Sequence, residues 1–285
     1  MHTIAHETDG NKLPRLCEHI TTCWAEYCAD VPARIERLPN NALKAQIGAN
    51  EWSSDNRSWE DCTRDLDYPM AISALAKCKP VEFELSRRPR AGRIVVRSGA
   101  VFVPSKLLTD RPDACFASQR PRWALGRRII TVGVNFGANC DIKVEQFVQA
   151  GALGLSVVDS LACAGYGVQL LGLWLTRGYR HDGTGEYAAT VPIIGAGEYW
   201  DARRAVSRLA HPSALRVMGF LVMCESAAHY GGGLSSSLGK AYPVWPAWAS
   251  VQPQVVIQPT ALNIESVREQ VARATTPPNK RRKAS

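Results

Sequence analysis

Neither of the common phosphate cradles, Gly-x-Gly-x-x-Gly or Gly-x-x-x-x-Gly-Lys-Ser/Thr, occurs in the 285 residues. Dinucleotide and P-loop nucleotide chemistry therefore lack their usual seat. A Gly-x-Ser-x-Gly nucleophile elbow is missing too, which removes the strongest signature of serine acyl transfer. No run of about eighteen apolar residues is present, and residues 1–11 are polar and include Glu7 and Asp9, unlike a cleavable leader. The expected location is the cytoplasm, with no membrane partner. The nine cysteines (17, 23, 28, 62, 78, 115, 140, 163 and 224) are odd in number and scattered. That distribution suits reduced thiols acting as small core residues better than a disulfide framework.

What is present is an ordinary globular composition, 46% apolar and 21% charged, in a chain long enough for one large domain or two modest ones. The net charge of +8 is unevenly placed. Between Ser86 and Arg128, eleven basic residues face only Asp110 and Asp113, a surplus of nine, so the remainder nearly cancels. The tail contributes four further positives at Lys280, Arg281, Arg282 and Lys283. Local charge of this kind suggests a partner.

Leu13, Leu16, Cys17, Ile20, Cys23, Trp24, Tyr27 and Cys28 fall at three- and four-residue steps, predicting an amphipathic helix over 13–30. A second helical pattern over 59–77 is interrupted at Pro69, and Val81 to Leu85 alternates like a half-exposed strand. Residues 93–97 and 100–103 flank a Ser-Gly connection and predict a hairpin. From Arg128 the pattern changes. Residues 129–134, Ile-Ile-Thr-Val-Gly-Val, read as a strand covered on both faces. A helix over 144–164 follows, stopped by Gly165-Tyr-Gly167, and then a strand over 168–175, together a βαβ unit. The same grammar predicts strands at 187–194, 215–223 and 254–257, and helices at 199–210 and 264–274. The fold class is α/β, a mostly parallel open sheet with helices on both faces, preceded by a helical and β-hairpin region. The expected boundaries are 1–127 for that region packed on the core, 128–274 for the core, and 275–285 for a disordered basic tail.

Gly99-Ala-Val-Phe-Val-Pro104 with Arg111-Pro-Asp-Ala-Cys115, the run Ile129 to Cys140, and the helix ending in Ala164-Gly-Tyr-Gly-Val168 together resemble a family of uncharacterised bacteriophage-associated proteins. The core of that family looks like a degenerate von Willebrand A domain. The resemblance covers roughly residues 50–230. It implies a phage or prophage origin, hence a bacterial host cytoplasm, and a Rossmann-like core without an established activity. A true von Willebrand A domain places Asp-x-Ser-x-Ser after its first strand to bind a divalent cation through hard oxygens. Here those positions are Asn135, Gly137 and Asn139. Loss of the carboxylate and both hydroxyls favours loop capping over metal binding.

Ligands of open α/β sheets bind outside the carboxyl ends of strands. That rule nominates Asn135, Asn139, Asp141 and Glu225 as a ligand or partner loop. Glu225 and His229 form the one acid/base pair to try first, and His229-Tyr-Gly-Gly-Gly resembles an esterase oxyanion loop. A flexible Gly/Ser loop is the better reading of the latter. Cys17, His19, Cys23 and Cys28 lack the paired spacing of a structural zinc site, so no metal or cofactor is expected. Gly151 and Gly154 lie inside the helix, where small residues allow close helix-to-sheet packing. The strongest physical signal is basic: Arg87, Arg88, Arg90, Arg93 and Arg97, then Arg120, Arg122, Arg127 and Arg128 around Trp123. These residues pair phosphate neutralisation with aromatic stacking and suit DNA or RNA. Solvated surface, or pairing with the acidic remainder, is the competing reading. Three functions follow in order: a non-catalytic phage accessory protein that binds another protein, a nucleic-acid-binding protein, and a hydrolase of unknown substrate.

Overall fold

A computed structural model describes residues 2–6, 15–19, 32–37, 81, 83, 85, 128–137, 143–177, 185–196, 209, 221, 240–241, 244–259 and 262–276. The expected helix at 59–77 and the hairpin at 93–103 lie outside them. The landmark run after Arg128 forms β3 (Ile129–Asn135), which is preceded in the chain by β1 (His2–His6) and β2 (Arg15–His19). There follow α1 (Val144–Cys163), β4 (Gly167–Arg177), β5 (Glu186–Ile194), β6 (Lys240–Ala241), β7 (Val255–Ile257) and α2 (Ile264–Thr275). The expected βαβ unit is present. β3 and β4 pair in parallel from Ile129↔Gly167 to Asn135↔Leu173.

Local chemistry sets the ends of α1. The Lys143 N–H donates to Gln146 Oε1 at its start. At its end Gly165 takes φ 92, while the Gly165 N–H bonds Ala162 O and the Tyr166 N–H bonds Leu161 O, both at 3.0 Å. This is a Schellman close, which puts a residue in the left-handed region where glycine has no Cβ penalty. α2 starts on Asn263, whose side chain accepts from the Ser266 N–H, with Glu265 in its first turn and Arg273 in its last, each suited to the helix dipole.

The sheet is open and mixed, in the order β1-β2-β5-β4-β3-β7, with β6 on β4. β7, β3 and β4 are mutually parallel, whereas β5 runs antiparallel to β4. The expectation that the remainder repeats the parallel grammar therefore fails at β5. Eight residues, 178–185, separate β4 from β5, too few for the dozen or so that a parallel crossover needs. Pro192, which has no N–H, sits where the β4–β5 register shifts and beyond the Thr190 at which β2 pairing ends.

The helix expected over 13–30 is also corrected. Residues 15–19 form a strand in parallel register with Glu186–Thr190 of β5. Long-range pairing against a wholly buried strand outweighs a local helical period there. Leu221 is helical where a strand over 215–223 was expected; Leu209 is helical, in keeping with a helix over 199–210.

The core has two faces. Ile130, Val132 and Val134 of β3, Leu170 and Trp174 of β4, and Tyr187, Ala189, Val191 and Ile193 of β5 pack with Phe147, Leu153, Val157 and Leu161 of α1 and with Val267, Val271 and Ala274 of α2. Both long helices thus join one core, and Ile35 of the short helix over 32–36 packs against it too; among the described residues no helix is seen on the second face. Leu171, Leu173 and Leu175 point to the opposite face, which they share with Cys17 of β2 and Ala188 of β5 and where Trp245 and Ala249 pack on them. The cover is a coil knitted by its own hydrogen bonds. Trp245 Nε1 donates to Val251 O at 2.8 Å, and the Gln252 amide donates to Pro246 O and Ala249 O. Burying each of those leucines contributes about 1.5–3 kcal/mol, which a turn presenting tryptophan secures as well as a helix would.

By length and composition α1 passes as a membrane span over Glu145–Cys163. Its fully buried Phe147, Ala150, Val157 and Leu161 pack on the sheet, the arrangement of a core helix. Gly154 explains how closely it sits: a Cβ there would lie 2.8 Å from Val134 Cγ2. Gly151, also expected to favour helix-to-sheet contact, instead faces Leu209 O at 2.8 Å.

Candidate functional site

The parallel strands end together at Asn135 of β3 and at Gln258, just after β7. Asn135 is 1% exposed. Its Oδ1 accepts the Gly137 N–H at 3.0 Å, an Asx turn that leads the chain off the sheet. Its Nδ2 donates to Gln258 Oε1 at 2.6 Å. The Phe136 N–H extends the ladder to Leu173 O at 2.8 Å. Gly137 then lies flush on β4, since a Cβ there would be 2.7 Å from both Leu175 N and Leu175 O. β4 outruns β3, and its surplus edge is taken by β6, with Thr176↔Ala241 and Arg177↔Lys240 in register.

Four residues along β4 beyond Leu173, the partner of Asn135, Arg177 faces Glu186 across β4 and β5. Arg177 Nη2 and Nε donate to Glu186 Oε1 at 2.7 and 3.1 Å. Glu186 is 7% exposed, and a carboxylate so enclosed requires this charge-assisted partner. The pair joins two strands and leaves Glu186 occupied.

Of the residues nominated from sequence for the strand-end loop, the structure places Asn135. Asn139, Asp141, Glu225 and His229 lie outside the described residues, as do Arg87, Arg88, Arg90, Arg93, Arg97, Arg120, Arg122, Trp123 and Arg127. Asn135 caps its loop, spending on Gly137 the oxygen that a cation would need. Arg128, the last of the basic block, donates from Nη1 to Thr276 O at 2.8 Å. Tyr166 OH likewise bonds Thr275 O. Together they pin the starts of β3 and β4 to the end of α2. Cys17 is 1% exposed and accepts the Ser250 N–H on Sγ at 3.2 Å, a packing role joining β2 to the tryptophan turn.

Gln258 was not nominated. The signal available for it was weak: it is the first polar residue after Val-Val-Ile, as Asn135 is after Ile129 to Val134, but strand pairing across 123 residues is needed to bring the two amides together. Asp159 on α1 also escaped notice. Burial raises its carboxyl above the ordinary aspartate range.

These features define an α/β protein with an open mixed sheet and a neutral amide cluster at its strand ends. Residues 105–278 match the model of a family described as a domain of unknown function, DUF7192, and the chain belongs to that family. No curated protein and no solved structure matches the chain.

Proposed function

We propose that the protein is a non-catalytic accessory protein that binds another protein through the strand-end loops of its core. In this reading it is of the phage-associated, von Willebrand A-like kind that its sequence resembles. The observation that carries the reading is the Asn135–Gln258 pair. The strand ends, where α/β sheets bind their ligands, are set by uncharged carboxamides held by backbone and by each other. Carboxamides recognise hydrogen-bonding partners without titrating, which suits docking better than proton transfer. Glu186, at the start of β5, is spent on Arg177.

Affinity capture from a bacterial host producing the tagged full-length chain tests the reading. A reproducible protein partner that is lost on Asn135→Asp and retained in an Arg87→Glu, Arg88→Glu, Arg90→Glu variant is the expected result. Release of every captured protein by nuclease would transfer the function to the basic block.

A further inference from the structure

Five strands place a terminal residue in one row where β4 runs out. Arg177, the last residue of β4, stands opposite Lys240, the first of β6, on one side and opposite Glu186, the first of β5, on the other. Glu186 pairs in turn with Arg15, the first residue of β2, and Arg15 with His6, the last of β1. Residues in direct register share a face of the sheet. Two residues inward, that face carries Leu175, Ala188 and Cys17, the apolar cluster under the tryptophan turn. The row is thus the charged rim of the second face. It lies at the carboxyl end of β4, the side on which α/β sheets take their ligands.

The charges of this row do not balance. Lys240, Arg177 and Arg15 bring three positives to the one carboxylate of Glu186, a surplus of two before His6 is protonated. Like charges directly opposed across antiparallel strands, with Cα atoms about 4.5–5.5 Å apart, work against pairing. Lys240 and Arg177 are such a pair, and theirs is one of the two register positions that hold β6 to β4. Arg177 keeps 49% of its side chain exposed while Nε and Nη2 hold Glu186, so the centre of the rim is open to solvent. We propose that the rim formed by Lys240, Arg177 and Arg15 binds a dianionic phosphate group. Such a group carries a charge of about −1.5 to −2 at neutral pH, which matches the surplus. A guanidinium fork and an ammonium point charge suit its oxygens. A carboxylate or a phosphodiester brings a single negative charge and leaves one cation opposed to the next. The site is separate from the Asn135 and Gln258 amides and does not rest on the adaptor reading.

Isothermal titration of the full-length protein with inorganic phosphate, O-phosphoserine, dimethyl phosphate and acetate, in a constant sodium chloride background, tests the site. Saturable binding of the first two, with the last two silent, is the expected result. Lys240→Gln should weaken phosphate binding about tenfold, in line with the loss of one charge-assisted contact. Without phosphate the same variant should melt no lower than the parent, because the like-charge pair across β6 and β4 is gone. Glu186→Gln keeps an acceptor for Arg177, raises the surplus to three and should tighten phosphate binding; if that variant does not fold, Lys240→Gln decides alone. The Arg87→Glu, Arg88→Glu, Arg90→Glu variant should bind phosphate as the parent does. A stronger response to O-phosphoserine assigns the group to a side chain of a partner and a stronger response to inorganic phosphate assigns it to the free ion; either upholds the site. Phosphate binding that is unchanged in Lys240→Gln, or lost in the triple arginine variant, would overturn it in favour of the basic block. Binding of dimethyl phosphate or acetate as tight as that of phosphate, or displacement of phosphate by a single-stranded oligonucleotide in a manner dependent on Lys240, would overturn the dianion. No saturable binding of any probe would dismiss the site altogether.

Discussion

Replacing Gly137 by alanine tests the strand-end geometry directly. The new Cβ would sit 2.7 Å from Leu175 N and 2.7 Å from Leu175 O, while non-bonded carbon contacts are most favourable near about 3.5–4.0 Å. The obstacle is backbone. Leu175 is fully buried in β4, which is flanked by β5 on one side and by β3 and β6 on the other, so it cannot step aside. Overpacking of this sort costs about 1–3 kcal/mol, offset by about 0.4–1 kcal/mol from the lower entropy of the unfolded alanine chain. A net loss of about 1–2 kcal/mol lowers Tm by roughly 2–8 °C in a chain somewhat larger than the domains on which that conversion rests. Urea and thermal unfolding followed by circular dichroism would read it. Gly133→Ala supplies the contrast. Its Cβ would strike Leu173 Cδ1 at 2.5 Å, a side chain, so Leu173→Ala in the same molecule should recover part of the loss, a coupling visible in a double-mutant cycle. A Gly137→Ala protein as stable as the parent, or a Gly133/Leu173 pair whose effects simply add, would refute the packing described for this end of the sheet.

Three further outcomes are expected. Gln270 closes the outer edge of β7: its Oε1 accepts the Val256 N–H at 2.7 Å and its Nε2 reaches Val256 O at 3.4 Å, so Gln270→Ala should cost about 1 kcal/mol in urea unfolding. Asp159 has its carboxyl pKa raised by burial. Its protonated form therefore favours the fold below the unfolded-state pKa, and that stability is lost as pH rises through the folded one. Asp159→Asn should be the more stable protein at neutral pH, with its advantage in Tm vanishing as pH falls below about 4. If the basic block binds nucleic acid, affinity for oligonucleotides should drop steeply with salt. Arg87→Glu, Arg88→Glu, Arg90→Glu should then flatten the slope, and a fluorescence-anisotropy titration with unchanged affinity and slope would dismiss that function.

The parts of the fold visible in the sequence were those encoded by short-range chemistry. The β-branched run at 129–134, the glycine at 165 and the asparagine at 263 bound their elements without help from distant residues, and β3, α1, β4, β7 and α2 lie within one to three residues of where the pattern puts them. Strand direction was legible as well, had the eight residues between β4 and β5 been weighed against the length of a crossover. Residues 15–19 were not legible. Cys17 lies in the core under either reading, and what makes its neighbours a strand is the edge of β5, 171 residues away. The cover on the second face was hidden for a related reason. Trp245, Ala249 and Gln252 form it through side-chain bonds to carbonyls rather than through any period. The amide cluster needed both ends of the same long connection, and Asn139, Asp141 and Glu225 of the nominated loop lie outside the described residues.

The family boundary bears on which surface the protein shares with its relatives. The match over 105–278 contains Asn135, Gln258 and the whole β3–β4–β5–β7 core, but it begins after Arg87, Arg88, Arg90, Arg93 and Arg97 and ends before Lys280 to Lys283. Of the basic residues within it near Trp123, Arg128 is committed to Thr276 O, where it holds the end of α2. A nucleic-acid surface built on Arg87 to Arg97 and the tail would therefore lie outside the matched span. A docking function at the strand ends would belong to the domain itself, because the Asx turn at Asn135, the close approach of Gly137 and the amide of Gln258 are all set by the pairing of β3 with β4 and β7. The two functions can then be separated within one molecule. Charge reversal at Arg87, Arg88 and Arg90 would act on the first, and Asn135→Asp on the second.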